Sequence, residues 1–324
     1  MRKLVVVAFG FACSPTHAEA TKPASPVPDS RPAELNVPKT SPEAKLTVNG
    51  ARHRLELAPY AVELDAADGG RIVEFSRDGW NAIATKNDSP LAYGTSFWPS
   101  PQSDWNWPPP PEIDRLPWLS TSETQAISLE SDVNAALGLA ATVRVEFAPP
   151  GSSVRIDYTL QNRGSAARRV APWQNTRVRP GGLTFYPSRG PALPPSTLEP
   201  SLAGGVAWLL HDPKTMTENQ KSFADGAEGF LAHVENGHLF VAAWNDVPRE
   251  QQAPGEAEVE LYVDKTGRFV EIEAQGPFAE LAPGASLAWT VFFSLEPLPG
   301  TLRVEPGNPA LVDAARALVR RARP

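Results

Sequence analysis

Side chains that form disulfides or bind metals are scarce in this sequence of 324 residues. It holds one cysteine, Cys13, and five histidines. A single cysteine excludes an intramolecular disulfide and a cysteine-rich zinc site. None of the histidines stands at the spacing that places two metal ligands on one face of a helix. We therefore expect no metal site, and nothing in the sequence indicates a cofactor.

Positive charge is also in short supply. The chain has 30 lysines and arginines against 37 acidic residues, which gives a formal net charge of −7. Such a surface repels nucleic acid and anionic lipid, so we expect neither as a partner. Segments with helical periodicity are missing over most of the chain, whereas 35 prolines and 23 glycines separate short apolar runs. This pattern is typical of many strands joined by turns.

The first twenty residues have the features of an export signal. A basic start is followed by the apolar run Leu4–Ala12, and Ala18–Ala20 supplies an A-x-A cleavage site. The apolar run is too short to span a bilayer. In an alternative interpretation Cys13, which follows a small residue, ends a lipoprotein signal and carries a lipid. Both interpretations predict an exported protein: periplasmic, secreted, or an outer-membrane lipoprotein that touches the membrane only through that lipid.

Residues 21–44 are rich in proline, and we interpret them as an extended tether because such a composition buries little apolar surface. From residue 45 to residue 300, apolar and polar residues alternate in short runs separated by turn-forming pairs such as Asp78-Gly79. No second linker interrupts these runs. The fold class predicted for residues 45–300 is therefore all-β, a single large antiparallel sandwich.

The last segment, residues 301–324, has a different pattern. Asn308 is suited to cap a helix that has Pro309 at its first position. Apolar residues then recur at helical spacing, at Leu311, Ala315, Leu318 and Val319. The segment therefore predicts a short C-terminal helix that docks on the sheet.

Residues 97–118 combine four of the nine tryptophans with seven prolines. We predict a packed long loop that is neither strand nor helix, and ordered long loops inside a compact domain are usually functional. Indole faces suit the C–H faces of sugar rings, and the polar groups between them suit hydroxyls. The candidate ligand-binding residues of this segment are Trp98, Gln102, Asp104, Trp105 and Trp107. Alternatively, the rings and prolines only stiffen a loop that covers the mouth of the sandwich.

Two further segments carry polar side chains at strand spacing. Asn175 and Arg177 alternate toward one face, where an arginine can bind a carboxylate or paired hydroxyls. The alternative for Arg177 is a surface salt bridge. Glu271 and Glu273 share one face of another strand, and joint burial would raise the pKa of at least one of them. Glu273 is then a candidate general base, and the alternative is a strand edge that faces solvent.

Three parts of the chain resemble a known superfamily. Gly69–Phe75 with Asp78–Asn81 resembles the opening of galactose mutarotase-like proteins, and Glu273–Gln275 with Leu281–Gly284 resembles their C-terminal part. The run Gly94–Trp105 resembles a narrower group, the domain-of-unknown-function family 4380 (DUF4380). Members of that group are mostly exported bacterial proteins of unassigned activity. Together these resemblances span most of the predicted domain.

The resemblance implies an antiparallel β-supersandwich of the galactose mutarotase-like kind, with a sugar site on a concave sheet face. Mutarotases use a glutamate as general base and a histidine as general acid, and Glu273 matches the glutamate. The histidine has no counterpart, because Asn175-Thr176 stands where the family has an Asn-His pair. Loss of a general acid reduces a rate by roughly 10²–10⁴.

Three hypotheses about function remain open at this point. In the first, the protein binds a carbohydrate-like ligand in the cell envelope. In the second, it is an aldose 1-epimerase-like enzyme in which Glu273 is the base and another group is the acid. In the third, it is a structural envelope protein whose sandwich binds another protein.

Overall fold

The structure, a computed structural model, describes residues 43–323. The predicted export signal over residues 1–20, the lipidation candidate Cys13 and nearly all of the tether lie outside the described residues. Among the residues that are described, no helix is long and apolar enough to cross a membrane.

Turns divide the described chain into short strands and two α-helices. The strands are β1 (Lys45–Asn49), β2 (Arg52–Leu57), β3 (Tyr60–Asp65), β4 (Arg71–Arg77), β5 (Trp80–Asn81), β6 (Thr95–Ser100), β7 (Leu119–Ser122), β8 (Ala126–Glu130), β9 (Leu139–Ala148), β10 (Ser153–Asn162), β11 (Arg168–Val178), β12 (Leu183–Pro187), β13 (Ser201–Ala203), β14 (Val206–Leu210), β15 (Gln220–Ala224), β16 (Phe230–Glu235), β17 (His238–Trp244), β18 (Val259–Val263), β19 (Val270–Gln275), β20 (Ala279–Leu281) and β21 (Ser286–Pro297). The helices are α1 (Pro111–Asp114) and α2 (Pro309–Ala322), with 3₁₀ turns at Gln102–Asp104 and Arg249–Gln251.

The strands form two antiparallel sheets. The first has eleven strands in the order β1-β2-β3-β4-β6-β11-β19-β18-β15, with β5 paired to β4 and β20 paired to β11. The second has ten strands in the order β13-β14-β12-β16-β17-β21-β10-β9-β8-β7. Strands that neighbour each other in a sheet are often far apart in sequence, so side chains from distant segments meet across the ladders.

The main core lies between the two sheets. Strand alternation directs one apolar side of each strand into it, and the residues involved include Val62 and Phe75 from the eleven-stranded sheet and Ile156 and Phe293 from the ten-stranded sheet. Such an all-β sandwich with a C-terminal helix is the fold class that the sequence predicts.

A second, smaller core lies on the other side of the ten-stranded sheet. There α2 packs Leu311, Ala315 and Leu318 onto apolar residues of β12, β14, β16 and β17. Asn308 caps the helix as predicted, because its Oδ1 accepts a hydrogen bond from the backbone N–H of Ala310 at 3.0 Å. Pro309 occupies the first helical position.

The prediction of many short strands between residues 45 and 300 is confirmed. The prediction that residues 97–118 contain neither strand nor helix is wrong. Strand β6 runs to Ser100 and α1 lies within the segment. Prolines argue against a strand in sequence reasoning. Here Pro99 lies opposite Pro172 in the ladder between β6 and β11, and Phe97 still points into the core.

Candidate functional site

Strand alternation also sends a set of side chains away from the main core. On β6, β11 and β19 the core side carries Phe97, Val178 and Ile272. The residues on the opposite side of the eleven-stranded sheet form what we term the polar face. Its central members are Ser96, Trp98, Ser100, Trp173, Asn175, Arg177, Lys221, Glu260, Tyr262, Glu271, Glu273 and Gln275. Their order along each strand follows the period of two.

Strand register makes this set contiguous. Asn175 lies opposite Glu273, and Glu273 lies opposite Glu260 on its other side. Trp173 lies opposite Trp98. Directly opposed residues of antiparallel strands have Cα atoms roughly 4.5–5.5 Å apart. Segments separated by about a hundred residues therefore place an amide, two carboxyl groups and two indoles side by side.

Indole rings cover one end of the polar face. Trp98 meets Trp105, Trp107 and Trp173 edge to face, with centroid distances of 6.2, 6.2 and 5.4 Å. The Trp98 indole N–H donates to Asp114 Oδ1 at 2.7 Å. Trp98 and Trp173 are buried, whereas Trp107 is 68% exposed. Trp107 is therefore the ring of this group that is most open to a ligand.

Residues 101–118, which we term the covering loop, are packed against this end of the face. The backbone N–H of Gln102 donates to Glu256 Oε1 at 2.8 Å. The turn between β3 and β4 packs against the backbone of this loop. At Gly69, whose φ is +66°, an added Cβ would lie 1.9 Å from the carbonyl oxygen of Asp114. This close approach requires glycine, so the loop is held in a defined place.

Arg177 is held inside the face. Its Nε donates to Glu271 Oε1 at 2.8 Å, and its Nη1 donates to the Ser96 hydroxyl. Its guanidinium carbon lies 5.0 Å from the ring centroid of Trp98. The alternative predicted for Arg177 is therefore confirmed as far as the salt bridge goes, but the pair is largely buried and does not lie at the surface. The guanidinium serves to orient Glu271 and Trp98.

One ammonium group lies between two buried carboxyl groups. Lys221 Nζ is 2.6 Å from Glu260 Oε2 and 3.5 Å from Glu273 Oε2. It also lies 4.8 Å from the ring centroid of Trp173. The indole N–H of Trp173 donates to Glu273 Oε2 at 2.8 Å. Glu273 lies on β19, between β11 and β18, so the alternative of a solvent-facing strand edge is wrong.

Burial raises the pKa of Glu260 and of Glu273 above the ordinary carboxyl value, although the Lys221 ammonium opposes this shift. Burial lowers the pKa of Lys221, but the two carboxylates outweigh that effect and hold it above the usual range. Two carboxyl groups that share one ammonium favour a state in which one of them keeps its proton near neutral pH. The cluster can therefore both donate and accept a proton.

Two polar groups at the centre of the face lack partners. Asn175 is 1% exposed, and neither its Oδ1 nor its Nδ2 has a hydrogen-bond partner among the described residues. Glu273 is equally buried, and its Oε1 also has no hydrogen-bond partner among the described residues. Because Asn175 and Glu273 are opposed in register, these three atoms belong to one small polar site. Buried polar groups in proteins are nearly always paired.

The structure brings together most of the residues that the sequence selected. Trp98, Trp105, Trp107, Asn175, Arg177, Glu271 and Glu273 lie on or against the polar face. Gln102 makes a backbone contact to Glu256, which is not one of the residues that define the polar face. Asp104 is exposed, and its carboxylate lies 3.9 Å from Arg168.

Sequence reasoning missed Lys221 and Glu260. The only indication of Glu260 is a charged residue inside the apolar strand Val259–Val263. Within residues 43–323, no group of three or more His, Cys, Asp or Glu side chains is arranged to hold a metal ion.

Several solved structures share this architecture. A galactose mutarotase-like protein from Lactobacillus casei is 12% identical, with a TM-score of 0.54, over 76% of this chain and 100% of that one. A galactose mutarotase-like protein from Clostridium acetobutylicum is 10% identical, with a TM-score of 0.55, over 79% of this chain and 98% of that one. A TPR-domain containing protein from Parabacteroides distasonis is 15% identical, with a TM-score of 0.57, over 79% of this chain. The match spans about half (49%) of that protein.

No protein-family model matches the sequence, and no curated protein is significantly similar to it. At identities of 10–15% the likeness concerns the fold alone. The chain has the galactose mutarotase-like fold.

Proposed function

We propose that this is an exported cell-envelope protein whose polar face binds an uncharged, sugar-like ligand. One observation carries the proposal: the Asn175 amide and one carboxyl oxygen of Glu273 are buried, adjacent and unpartnered within the described chain. A buried polar group without a partner costs about 1–3 kcal/mol. A hydroxyl both donates and accepts, so neighbouring hydroxyls of one ligand would satisfy the amide and the carboxyl together.

The surroundings favour a ligand with apolar ring faces and no negative charge. Trp107 presents an open indole next to Trp98, at the tryptophan end of the same face. Both cations described at the centre of the face, Arg177 and Lys221, already pair with glutamates. An anionic ligand would meet further carboxyl groups in a weakly solvated place, where charge repulsion is strong. Neutral sugars avoid this repulsion, whereas sugar phosphates and uronic acids do not.

Ligand entry requires the covering loop to move. Asn175 and Glu273 are each only 1% exposed, so a ligand reaches them only after neighbouring side chains have moved. The loop is the candidate for this motion because its Trp105 packs 6.4 Å from Trp173, which shares the face of β11 with Asn175. The hydrogen bond from Gln102 to Glu256 is one contact that must open. Loops that close over a ligand exclude water and strengthen the polar contacts beneath them.

Export and membership of DUF4380 are parts of the proposal that rest on sequence alone. They depend on the pattern of residues 1–20, on Cys13 and on the run Gly94–Trp105. Intact-mass measurement of the protein from the envelope fraction tests export. A chain that begins at a lipidated Cys13, or directly after Ala20, agrees with the proposal, and an intact Met1 contradicts it.

A screen of the purified protein against neutral mono- and oligosaccharides, uronic acids and sugar phosphates tests ligand binding. We expect binding of neutral sugars only. Asn175→Leu should weaken binding at least tenfold while the free energy of unfolding stays the same or rises, because the lost amide has no described partner. Trp107→Ala should weaken binding by about 1–3 kcal/mol, the range for burial of one large side chain.

The matched control for Trp107→Ala is Trp80→Ala. Trp80 is half-buried, stacks on His238 at 4.1 Å and lies outside the covering loop, so its removal should leave binding unchanged. The proposal fails if no glycan binds, or if Asn175→Leu binds as the parent does. In the first case a structural envelope protein that binds another protein becomes the better hypothesis.

The acidic cluster supports a second candidate, proton transfer at a sugar ring of the aldose 1-epimerase type with Glu273 as base. The specific observation is that Glu273 and Glu260 are buried together around Lys221, so one group can accept a proton while the other donates one. Polarimetry of α-glucose and α-galactose tests it. Acceleration of anomerisation that Glu273→Gln abolishes supports this candidate, and an unchanged rate relative to buffer eliminates it.

A further inference from the structure

A second concave region lies on the same side of the eleven-stranded sheet. It is a cavity of about 250 Å³ lined by Arg52, Glu63, Val73, Glu74, Asn81, Thr85, Lys86, Asn87 and Tyr93. Its floor comes from β2, β3 and β4, whose opposite side carries the core residues Leu55, Val62 and Phe75. Its wall is the segment between β5 and β6. The volume lies below the range of drug-sized pockets, roughly 300–1,000 Å³, and suits a ligand of about one ring.

The charges that line this cavity are largely compensated by the protein. Arg52 is 3.1 Å from Glu63 and 3.2 Å from Asp65. Glu74 pairs with Arg54 and accepts a hydrogen bond from Ser76 at 2.5 Å. The remaining polar lining groups are two amides, one hydroxyl, the Tyr93 phenol and the Lys86 ammonium, which lies 5.5 Å from the ring centroid of Tyr93. The Asn81 carbonyl, the Thr85 hydroxyl and the Tyr93 hydroxyl already hydrogen-bond within the protein. Two cations, Arg52 and Lys86, balance two carboxylates, Glu63 and Glu74, so the lining carries no formal net charge and suits a neutral ring.

The cavity is connected to the tryptophan end of the polar face by a short chain of contacts. The guanidinium carbon of Arg71 lies 4.9 Å from the ring centroid of Tyr93, which lines the cavity. Arg71 Nη2 lies 3.4 Å from Asp114 Oδ1, and that oxygen accepts the indole N–H of Trp98. Strands β3, β4, β6 and β11 are successive neighbours. At about 4.8 Å per strand, the two regions are roughly 10–15 Å apart.

We infer that this cavity is a second subsite of the polar face and that the ligand is a neutral oligosaccharide, with one ring at the tryptophan end and another ring in the cavity. The inference rests on the proposed function, because it assigns the length and chemistry of the ligand for that same face. A span of 10–15 Å exceeds a single ring. A ligand with several linked rings reaches both regions at once and gains affinity from each.

Titration with neutral sugar ladders of one to six units tests the inference. We would use the glucose series with α-1,4 linkage, the glucose series with β-1,4 linkage and the galactose series with β-1,4 linkage. In at least one series we expect the affinity to rise tenfold or more from the monosaccharide to the longest member. Asn87→Trp places an indole into the cavity from its exposed rim and should abolish this rise while binding of the monosaccharide is retained.

The matched control is Leu91→Trp. Leu91 belongs to the same segment and is 94% exposed, but it does not line the cavity, so this variant should keep the full dependence on chain length. Thermal midpoints of both variants should equal that of the parent. Equal affinity for all lengths, or a rise that survives Asn87→Trp, overturns the inference but leaves the proposed function intact. Failure of every sugar to bind overturns both.

Discussion

At the scale of single residues, burial decides the chemistry of the carboxyl groups, and Glu258 shows this most simply. Its side chain is fully buried and accepts hydrogen bonds from the Trp244 indole at 2.9 Å and from the Val247 backbone at 3.0 Å. Burial nevertheless raises its pKa to about 7 from the ordinary 4.5. Between these two values the folded state therefore binds more protons than the unfolded state, so stability falls as pH rises.

We predict that Glu258→Gln removes this part of the pH dependence. A shift of about 2.5 pKa units corresponds to about 3 kcal/mol. The stability of the variant relative to the parent should therefore rise by up to about 3 kcal/mol between pH 4.5 and pH 8. Urea unfolding at a series of pH values measures it. Glu250→Gln, at an exposed glutamate nearby, should show no such trend. A difference between Glu258→Gln and the parent that does not vary with pH would show that folding does not raise the pKa of this carboxyl.

At the scale of elements, the covering loop is held by its fit to the turn between β3 and β4. Gly69 and Gly70 both have positive φ, and added Cβ atoms would collide with Asp114 and with the ring of Trp118. Trp118 is itself buried, and its indole N–H donates to the carbonyl of Glu112 at 3.0 Å. The loop and the turn therefore form one packed unit, and a substitution in the turn should displace the loop.

We predict that Gly69→Ala displaces the covering loop. Its Cβ would overlap the Asp114 carbonyl at 1.9 Å, in addition to the cost of a positive φ. The matched control is Gly79→Ala, because Gly79 also has a positive φ of +80° but has open space around it. Gly69→Ala should lower the free energy of unfolding by more than Gly79→Ala and shift tryptophan emission to longer wavelength. Equal effects of the two substitutions would mean that the turn does not support the loop.

At the scale of the whole molecule, the sequence reveals the sheets better than it reveals the site. Alternation with a period of two locates most strands and shows that Glu271 and Glu273 share a face. It does not reveal which strands are neighbours, because pairing depends on the register of distant segments. The contacts of Lys221 with Glu260 and Glu273 arise only when β15, β18 and β19 lie side by side. The sequence indicates Trp98 as a ligand-binding residue, but its burial arises from contacts with the covering loop and with Trp173 of β11, which the sequence does not reveal.

The central claim is that the unpartnered Asn175 and Glu273 atoms mark the place where a sugar ring binds. The most direct test is a crystal structure of the protein with the neutral sugar that binds best in the screen. We predict a sugar ring whose hydroxyls lie within hydrogen-bond distance of the Asn175 amide and Glu273 Oε1, with an indole of the covering loop against its C–H face. A sugar bound elsewhere, with Asn175 still unpaired, would contradict it.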